Sequence, residues 1–162
     1  MIHYLLSVMI LILIRFNNPY NGGKQMKTIK YSRQREAIIN FLQTRKDHPT
    51  AEVIYNNIRE EYPNISMGTV YRNLNLLSET GQILRISLED NRAHFDGFTH
   101  EHCHFFCREC KGVLDIEIGQ KSMKDIKSIA QREFEGKIEC QTSIFYGVCK
   151  TCLGKSNLQT SH

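Results

Sequence analysis

The chain has 162 residues, which is enough for one ordinary domain or two small ones. A hydrophobic content of 41% is that of a globular protein, and a net charge of +4 favours an anionic partner without requiring one. The six cysteines could form three disulfides, but their paired spacing among histidines and aspartates is more typical of metal binding in a reducing compartment.

Residues 1–25 are predicted to be a leader that does not belong to the folded protein. The apolar run over residues 5–14 is shorter than the ~20 residues that a membrane-spanning helix needs. It also lacks the basic start and the small-residue cleavage site of a signal peptide. Residues 22–24 read Gly-Gly-Lys, which a ribosome-binding sequence would encode if it were translated. We therefore expect the protein to start at Met26 without a membrane segment; a short interfacial anchor is the alternative.

Three helices and a β-hairpin are predicted over residues 26–98. Each helix begins with a candidate N-cap, Ser32, Thr50 or Ser66, and continues with an apolar stripe at helical spacing. Pro63 ends the second helix, and Gly81 ends the third as a left-handed cap. The three stripes are Ala37, Ile38, Phe41 and Leu42; Ala51, Ile54, Tyr55 and Ile58; and Val70, Leu74 and Leu77. Residues 82–88 and 93–98 read as strands around the turn 89–92.

This order of elements is typical of a winged-helix domain, whose third helix carries the DNA-reading face. Turning the third stripe inward places Arg72 outward, with Tyr71 and Asn73 on the flanks. Arginine is the side chain most often used to read guanine. An ordinary solvated helix face is the alternative, and charge does not decide between them. Residues 27–98 carry ten Lys or Arg and nine Asp or Glu.

A second, smaller unit is predicted over residues 99–152, followed by a flexible tail at 153–162. It contains strands at 104–107 and 113–118, a helix over 120–134 and a strand over 137–148. The fold class is therefore α+β. A unit of this size has a thin core, so bound zinc and self-association would both stabilise it.

Two Cys-x-x-Cys pairs predict a structural zinc site. Cys107 with Cys110 and Cys149 with Cys152 supply the four soft ligands of a closed tetrahedral site. Thirty-eight residues, 111–148, separate the pairs. This intervening stretch must therefore fold on its own, with the metal joining its two ends.

A second ligand cluster mixes imidazole and carboxylate. His102 and His104 are two positions apart, so in a strand they point to the same side. Asp96 and Asp115 offer oxygen ligands, and His48 is a fifth candidate, although a lone loop histidine is an ordinary feature. Nitrogen and oxygen ligands without sulfur suit Fe(II), Mn(II) or Zn(II). Cys103, between the two histidines, is inert filler, an extra ligand or an oxidisable thiol.

Together these motifs resemble the ferric uptake regulator (Fur) family of metal-dependent DNA-binding repressors. The resemblance spans about residues 31–152 and rests on His48-Pro49-Thr50-Ala51, on Thr69–Leu74, and on His102-x-His104-x-x-Cys107-x-x-Cys110 with Cys149-x-x-Cys152. It implies an N-terminal winged helix, a C-terminal dimerisation domain, structural Zn²⁺, and regulatory Fe²⁺ or Mn²⁺ at the junction. It also implies a cytoplasmic homodimer on a palindromic double-stranded DNA operator. The residues implied to contact DNA are Ser66, Thr69, Tyr71, Arg72 and Asn73.

Within the family, the five regulatory ligands resemble those of the peroxide-sensing branch. That branch implies iron-catalysed oxidation of His48 or His102 and release of DNA. Iron-sensing members usually place Glu at one or both positions matching Asp96 and Asp115. Arg72 departs from the typical peroxide sensors, which carry Asn there, so the operator sequence stays open. An iron- or zinc-responsive uptake repressor of the same family is the alternative function.

Two other classes of function compete with a repressor. A His/Asp metal site with a free position could activate water for hydrolysis. No residue is evident as a dedicated general base, however, and we predict no catalytic residues and no enzyme. A purely structural zinc module that binds protein partners is the second alternative.

Overall fold

The computed structural model describes residues 30–89 and 91–159, with side chains described as far as residue 155. The predicted leader lies outside the described residues. The first half contains helices α1 (Arg33–Gln43), α2 (Ala51–Glu61) and α3 (Met67–Glu79) and strands β1 (Leu84–Ser87) and β2 (Ala93–Asp96). The second half contains β3 (Cys103–Cys107), β4 (Val113–Ile116), α4 (Gln120–Arg132), β5 (Ser143–Gly147) and α5 (Lys150–Gln159). Three helices and a hairpin are thus followed by a mixed α+β unit, as predicted. Within the described part of the chain, no helix is long and apolar enough to cross a membrane.

The core of the first half is formed by the three predicted helical stripes. The innermost members of each stripe are at most 3% exposed, Ala37, Phe41 and Tyr55 are partly buried against them, and Phe95 of β2 closes the core at 1% exposure. Burial of apolar surface on this scale stabilises the fold by roughly 25 cal/mol per Å². The fully packed residues are Ile38 and Leu42 of α1, Ala51, Ile54 and Ile58 of α2, and Val70, Leu74 and Leu77 of α3. Helix α3 is therefore fixed against the other two helices and the hairpin.

Both ends of α3 are defined by local hydrogen bonds. The hydroxyl oxygen of Ser66 accepts the backbone N–H of Thr69 at 3.1 Å, as expected of an N-cap. At the other end Gly81 adopts φ 72°, a left-handed conformation that costs glycine little. The N–H of Gly81 donates to the carbonyl of Ser78 and the N–H of Gln82 donates to that of Leu77, which completes a Schellman motif. Ser32 and Thr50 occupy the N-cap positions of α1 and α2, but their side chains make no cap hydrogen bond.

The hairpin is tied to the loop that precedes α2. β1 and β2 pair antiparallel, with Leu84 opposite Asp96. On the other side of β2, Thr50 forms an isolated antiparallel bridge with His94, and the N–H of Phe95 donates to the carbonyl of Pro49 at 3.1 Å. The loop after α1 and the second hairpin strand are therefore joined through their main chains.

The second half is built around a three-stranded sheet with the order β4-β3-β5. β3 pairs antiparallel with β4 and parallel with β5, and α4 makes the connection between β4 and β5. Phe106 and Val113 are buried together with Ile86 of the hairpin. Only Met123 of α4 is buried, whereas Ile126 and Ile129 of the same predicted apolar face are 48% and 53% exposed. The core is thin, as the sequence predicted.

Three predicted elements in this half are shorter in the structure. The strand predicted over 137–148 is confined to β5, the strand predicted over 113–118 ends at Ile116, and α4 ends at Arg132 rather than 134. Side chains of α4 bond the backbone where this strand was predicted to begin. The amide of Gln131 donates to the carbonyls of Phe134 and Gly136 and accepts the N–H of Ile138, and Lys127 donates to the carbonyl of Glu139. These backbone groups thus bond to side chains and not to a neighbouring strand.

The predicted tail also differs, because its first residues continue a helix. α5 runs over Lys150–Gln159, so residues 153–159 are helical rather than irregular. The helix starts within the second cysteine pair, and the N–H of Leu153 donates to the carbonyl of Cys149 at 2.9 Å. Whether this segment is flexible stays a prediction.

Candidate metal centres and DNA-reading face

The four cysteines of the two pairs lie together. Their sulfur atoms are all within 4.8 Å of one another, and the sulfurs of Cys110 and Cys149 are 3.9 Å apart. Two thiolates on a tetrahedral zinc ion, each about 2.3 Å from it, are separated by about 3.8 Å. Cys107 ends β3, Cys149 follows β5, and the two strands pair in parallel, which brings the pairs together. The cluster suits structural zinc.

The protein surroundings favour a thiolate at Cys107. Burial acts to raise the pKa of this thiol, but backbone N–H groups, including those of Cys110 and Cys149, outweigh it and lower the pKa to about 6. The N–H of Cys149 donates to the Cys107 sulfur at 3.3 Å. Metal coordination needs thiolates, so this part of the site is prepared for a cation.

The second predicted cluster also assembles, and it joins the two halves of the molecule. His48 comes from the loop after α1 and Asp96 from the end of β2. His102 precedes β3, His104 lies on it, and Asp115 lies opposite His104 on β4. Potential ligand atoms of His48, Asp96, His102 and His104 lie within 4.8 Å of one another. Asp115 reaches the same place, with Oδ1 3.0 Å from His48 Nε2 and 3.1 Å from His102 Nε2.

Backbone carbonyls orient two of the three imidazoles. His48 Nδ1 lies 3.3 Å from the carbonyl oxygen of Val113, and His102 Nδ1 lies 2.8 Å from that of His100. Because a carbonyl oxygen only accepts, each Nδ1 carries the proton. The Nε2 atoms of both rings therefore face the cluster. Such outer contacts fix the ring of a metal-binding histidine.

The charges of the cluster perturb one another strongly. Burial acts to raise the pKa of Asp96, but the imidazoles of His102, His104 and His48 hold it far below its usual range. The carboxylate of Asp96 is the largest cause that raises the pKa of His102, to about 9. Burial lowers the pKa of His48, but the same carboxylate and the charge of Asp115 outweigh it and raise the pKa. In the absence of a cation, protons must balance the two carboxylates.

The donor set fits a divalent cation better than it fits protons. Within residues 30–89 and 91–159, buried side-chain atoms without a hydrogen-bond partner include one from each of these five residues: His48 Nε2, Asp96 Oδ2, His102 Nε2, His104 Nε2 and Asp115 Oδ1. Buried polar atoms are rarely left without partners. Ligand atoms about 2.1 Å from a metal and at right angles to each other are about 3.0 Å apart. The separations of His102 Nε2 from Asp96 and Asp115 are both 3.1 Å.

Cys103 does not belong to this cluster. It lies on β3 between the two ligand candidates His102 and His104, so its side chain points to the opposite face of the sheet. There it is 1% exposed, and its sulfur lies 3.2 Å from that of Met123 on α4. The extra-ligand interpretation is thus wrong, and packing accounts for the residue.

Four of the five residues implied to contact DNA lie around the exposed face of α3. The guanidinium of Arg72 donates to the hydroxyl of Thr69 at 3.0 Å, and this hydroxyl is 2.9 Å from that of Ser66. Tyr71 is 40% exposed, and its hydroxyl donates to Glu52 of α2 at 3.0 Å. Ser66, Thr69 and Arg72 form a chain of polar groups along the start of the helix.

Asn73 is the exception among the five. It is 8% exposed and packs towards α1, where Arg35 Nη1 lies 3.5 Å from its side-chain oxygen. The physical reason is its position, since Val70, Asn73, Leu74 and Leu77 follow the i, i+3, i+4, i+7 spacing of a buried stripe. The sequence-based placement of Asn73 on the helix flank was wrong.

Comparison with known proteins identifies the family. The model of the ferric uptake regulator family matches residues 26–143. Over 127 residues the chain is 33% identical to the peroxide-responsive repressor PerR of Staphylococcus aureus strain Mu50, a match that covers 78% of this chain and 84% of PerR. The chain therefore belongs to the ferric uptake regulator family, which confirms the resemblance drawn from its motifs.

Solved structures of similar proteins agree with this assignment. The Campylobacter jejuni peroxide stress regulator is 28% identical, with a TM-score of 0.66 and coverage of 74% of this chain and 88% of that one. The Helicobacter pylori ferric uptake regulator Fur shares the fold, with a TM-score of 0.69 at 23% identity, and covers 90% of this chain and 92% of its own. The α+β architecture is thus that of the family.

Proposed function

We propose that this protein is a metal-dependent DNA-binding transcriptional repressor that responds to peroxide. The observation that carries the proposal is the convergence of five ligand atoms from the two halves of the chain. His48 and Asp96 belong to the winged-helix half, residues 26–98, and His102, His104 and Asp115 belong to the dimerisation half, residues 99–152. A cation held by all five would fix one half against the other. Two of the five would be oxygen ligands from aspartates, a set that suits Fe(II) or Mn(II).

Fixing the two halves would control DNA binding. In a homodimer, two α3 helices can meet successive major grooves only at matched spacing, as on a palindromic operator. The dimer with bound metal would be pre-arranged at that spacing. Without metal, DNA binding would also carry the cost of ordering the junction. The apparent affinity would then equal the intrinsic affinity multiplied by the fraction of molecules in the competent arrangement. The site of action would be the cytoplasm, where DNA is available.

Exposed apolar side chains support self-association of the second half. Ile126, Ile129 and Phe134 are exposed around α4, and Phe145 and Tyr146 are exposed on β5. Several large apolar side chains exposed on one small unit favour an interaction surface there. The thin core of this half would gain both from a partner copy and from zinc held by Cys107, Cys110, Cys149 and Cys152.

The response to peroxide would reside in the histidine ligands. Bound Fe(II) would promote cleavage of the O–O bond of hydrogen peroxide close to its ligands, and the two electrons that reduce the peroxide would come overall from the oxidised ring, so the iron would be unchanged. His48 or His102 would then gain one oxygen atom on its ring, with water as the other product. An oxidised ring is a poorer ligand, so the link between the halves would weaken and DNA would be released. The five-ligand set would leave one position at the ion for peroxide.

Mass spectrometry after metal loading tests this proposal. The zinc-containing protein is loaded with Fe(II) or with Mn(II), exposed to equal peroxide and digested. We expect one added oxygen on the peptides containing His48 or His102 with Fe(II) and little with Mn(II). On operator DNA, the metal-dependent gel shift should disappear after peroxide in the iron-loaded sample and persist in the manganese-loaded sample. An iron-loaded protein that binds DNA but shows no added oxygen would favour the iron- or zinc-responsive alternative.

Two outcomes would instead remove the repressor class. A protein that shows no metal-dependent gel shift on any DNA would favour a structural zinc module with protein partners. Turnover of ester or phosphoester substrates by the metal-loaded protein would favour a hydrolase. We propose that the protein is not an enzyme, because all five residues at the cluster are assigned as ligands.

A further inference from the structure

A buried histidine next to the regulatory cluster has no place among the five ligands. His94 of β2 is 4% exposed, and its Nδ1 lies 2.9 Å from the backbone carbonyl oxygen of His48. The carbonyl can only accept, so the imidazole donates through Nδ1. The ring of one histidine thus holds the main chain of another, and the second is a proposed metal ligand.

The main chain at His48 needs such support. His48 has φ 43°, a left-handed conformation that is uncommon for a residue with a Cβ atom. Pro49 follows it, and a residue before proline is further restricted. Backbone conformations of this kind persist only where surrounding contacts determine them. Without support, the loop after α1 would relax, and the Nε2 atom of His48 would no longer point at Asp96 and Asp115.

Three contacts from β2 hold the main chain of this loop at residues 48–50. The ring of His94 donates to the carbonyl of His48, and the N–H of Phe95 donates to the carbonyl of Pro49 at 3.1 Å. Thr50 forms an antiparallel β-bridge with His94. Phe95 is 1% exposed and anchors the strand in the core of the first half. The hydrophobic core of the first half therefore fixes β2, and β2 in turn fixes the loop.

Strand geometry places the support beside the ligand. His94 and Asp96 are two residues apart on β2, so both side chains lie on the face opposite to Phe95. One strand thus supplies a ligand, Asp96, and a group that orients another ligand, His48. The imidazole ring of His48 is oriented from the second half, because its Nδ1 lies 3.3 Å from the carbonyl oxygen of Val113. The main chain and the ring of His48 are held from two different halves.

We propose that His94 is a positioning residue of the regulatory metal centre. It holds the left-handed backbone of His48 by donating to the His48 carbonyl, and so directs His48 Nε2 to the cation. This inference rests on the proposed regulatory site. It assigns His94 no contact with the metal and no role in the four-cysteine cluster.

Two substitutions separate this role from simple packing. In His94→Asn the amide nitrogen is as many bonds from Cα as Nδ1 is, so the donor to the His48 carbonyl is retained. His94→Leu fills similar space without a donor. We expect His94→Leu to weaken Mn(II) binding about 10–100-fold, the usual effect of losing an outer contact of a ligand, and His94→Asn to stay close to the unmodified protein.

Mn(II) affinity is measured on zinc-containing dimers by competition with a chelating dye, and thermal unfolding of the same metal-free samples serves as the second readout. The expected result is a difference in affinity between the variants without a matching difference in unfolding temperature. Equal affinities, or equal losses in both variants, would overturn the proposal. If His94→Leu does not fold, His94→Gln replaces it, because its amide nitrogen lies one bond further out than Nδ1. Failure of the unmodified protein to bind Mn(II) would overturn the proposed function instead.

Discussion

The two metal clusters differ in what they connect. The four cysteines all belong to the second half. They connect the end of β3, which carries Cys107 and Cys110, to the segment after β5, which carries Cys149 and Cys152. The histidine and aspartate cluster draws His48 and Asp96 from the first half and three ligands from the second. The first cluster can therefore hold a fold together, whereas the second can only hold an arrangement of two folded parts.

Their chemistry follows the same division. Thiolates bind zinc tightly in a closed site, which suits a permanent component. Imidazole and carboxylate bind divalent cations more reversibly and compete with protons, as the raised pKa of His102, about 9, illustrates. A site that must gain and lose its ion in response to conditions needs the second kind of ligand. The comparison leads to four predictions, beginning with the largest expected effect.

Removing one thiolate should unfold the second half. Cys107→Ser is expected to lose zinc and the dimer, because structural zinc contributes roughly 10–16 kcal/mol in small zinc domains and whole domains are stable by only about 5–15 kcal/mol. Zinc content, size-exclusion chromatography and thermal unfolding measure the effect. Cys140→Ser is the matched control, since Cys140 is half-buried and lies outside the cluster. A zinc-free Cys107→Ser dimer of normal stability would contradict the structural role.

Removing one histidine of the other cluster should leave the fold intact and abolish regulation. His102→Ala is expected to lower Mn(II) affinity by at least about 10–100-fold and to remove the metal-dependent gel shift. The circular dichroism spectrum and zinc content should not change. His100→Ala provides the control, because His100 is exposed and its hydrogen bond to His102 comes from the backbone carbonyl, which the substitution keeps. Loss of the dimer in His102→Ala would show that the two clusters do not divide their tasks in this way.

Sequence patterns predicted the parts of the molecule that depend on local spacing. The stripes of α1 to α3, the two Cys-x-x-Cys pairs and the pair of His102 and His104 came from residues two, three or four positions apart, whose relative directions are fixed by helix or strand geometry. His48, Asp96 and Asp115 have no such spacing, and they were grouped with the histidine pair by ligand type and by the resemblance to the family. The family assignment rested on the same motifs.

Features that depend on one specific contact could not be predicted in this way. The loop after α4 is not a strand because Gln131 bonds its backbone, and no periodic pattern reports such a side chain. His94 was missed because its role comes from a carbonyl 46 residues away. One signal for it existed, since it precedes Asp96 by two positions in a strand. Asn73 could have been placed correctly, because it occupies the i+3 position of the α3 stripe.

The third prediction alters the reactivity of the regulatory cluster without removing a ligand. Asp115→Glu keeps the charge but adds one methylene, which moves the carboxylate relative to His48 and His102. We expect metal-dependent DNA binding to persist and iron-dependent histidine oxidation to slow, by up to about 10²-fold, because a misplacement of about 1 Å can cost that much in rate. The rate of oxygen addition to the His48 and His102 peptides is measured with Fe(II) under fixed peroxide. Glu117→Asp is the control, because Glu117 is exposed and pairs with Lys46 outside the cluster. An unchanged oxidation rate in Asp115→Glu would remove Asp115 from the determinants of peroxide sensitivity.

The smallest effect should come from Arg72, which lies in neither cluster. Its guanidinium is exposed at the start of α3 and donates to Thr69, so it can turn to a base edge without disturbing the core. Arg72→Asn is expected to leave zinc content, the dimer and Mn(II) affinity unchanged. It should alter the preference among operators by about 1–3 kcal/mol at one base pair, the value of a bidentate arginine contact with guanine. Gel shifts on operators that differ at single positions, at one salt concentration, measure this preference. Equal weakening on every operator would make Arg72 a phosphate contact rather than a base reader, since backbone contacts carry no sequence information.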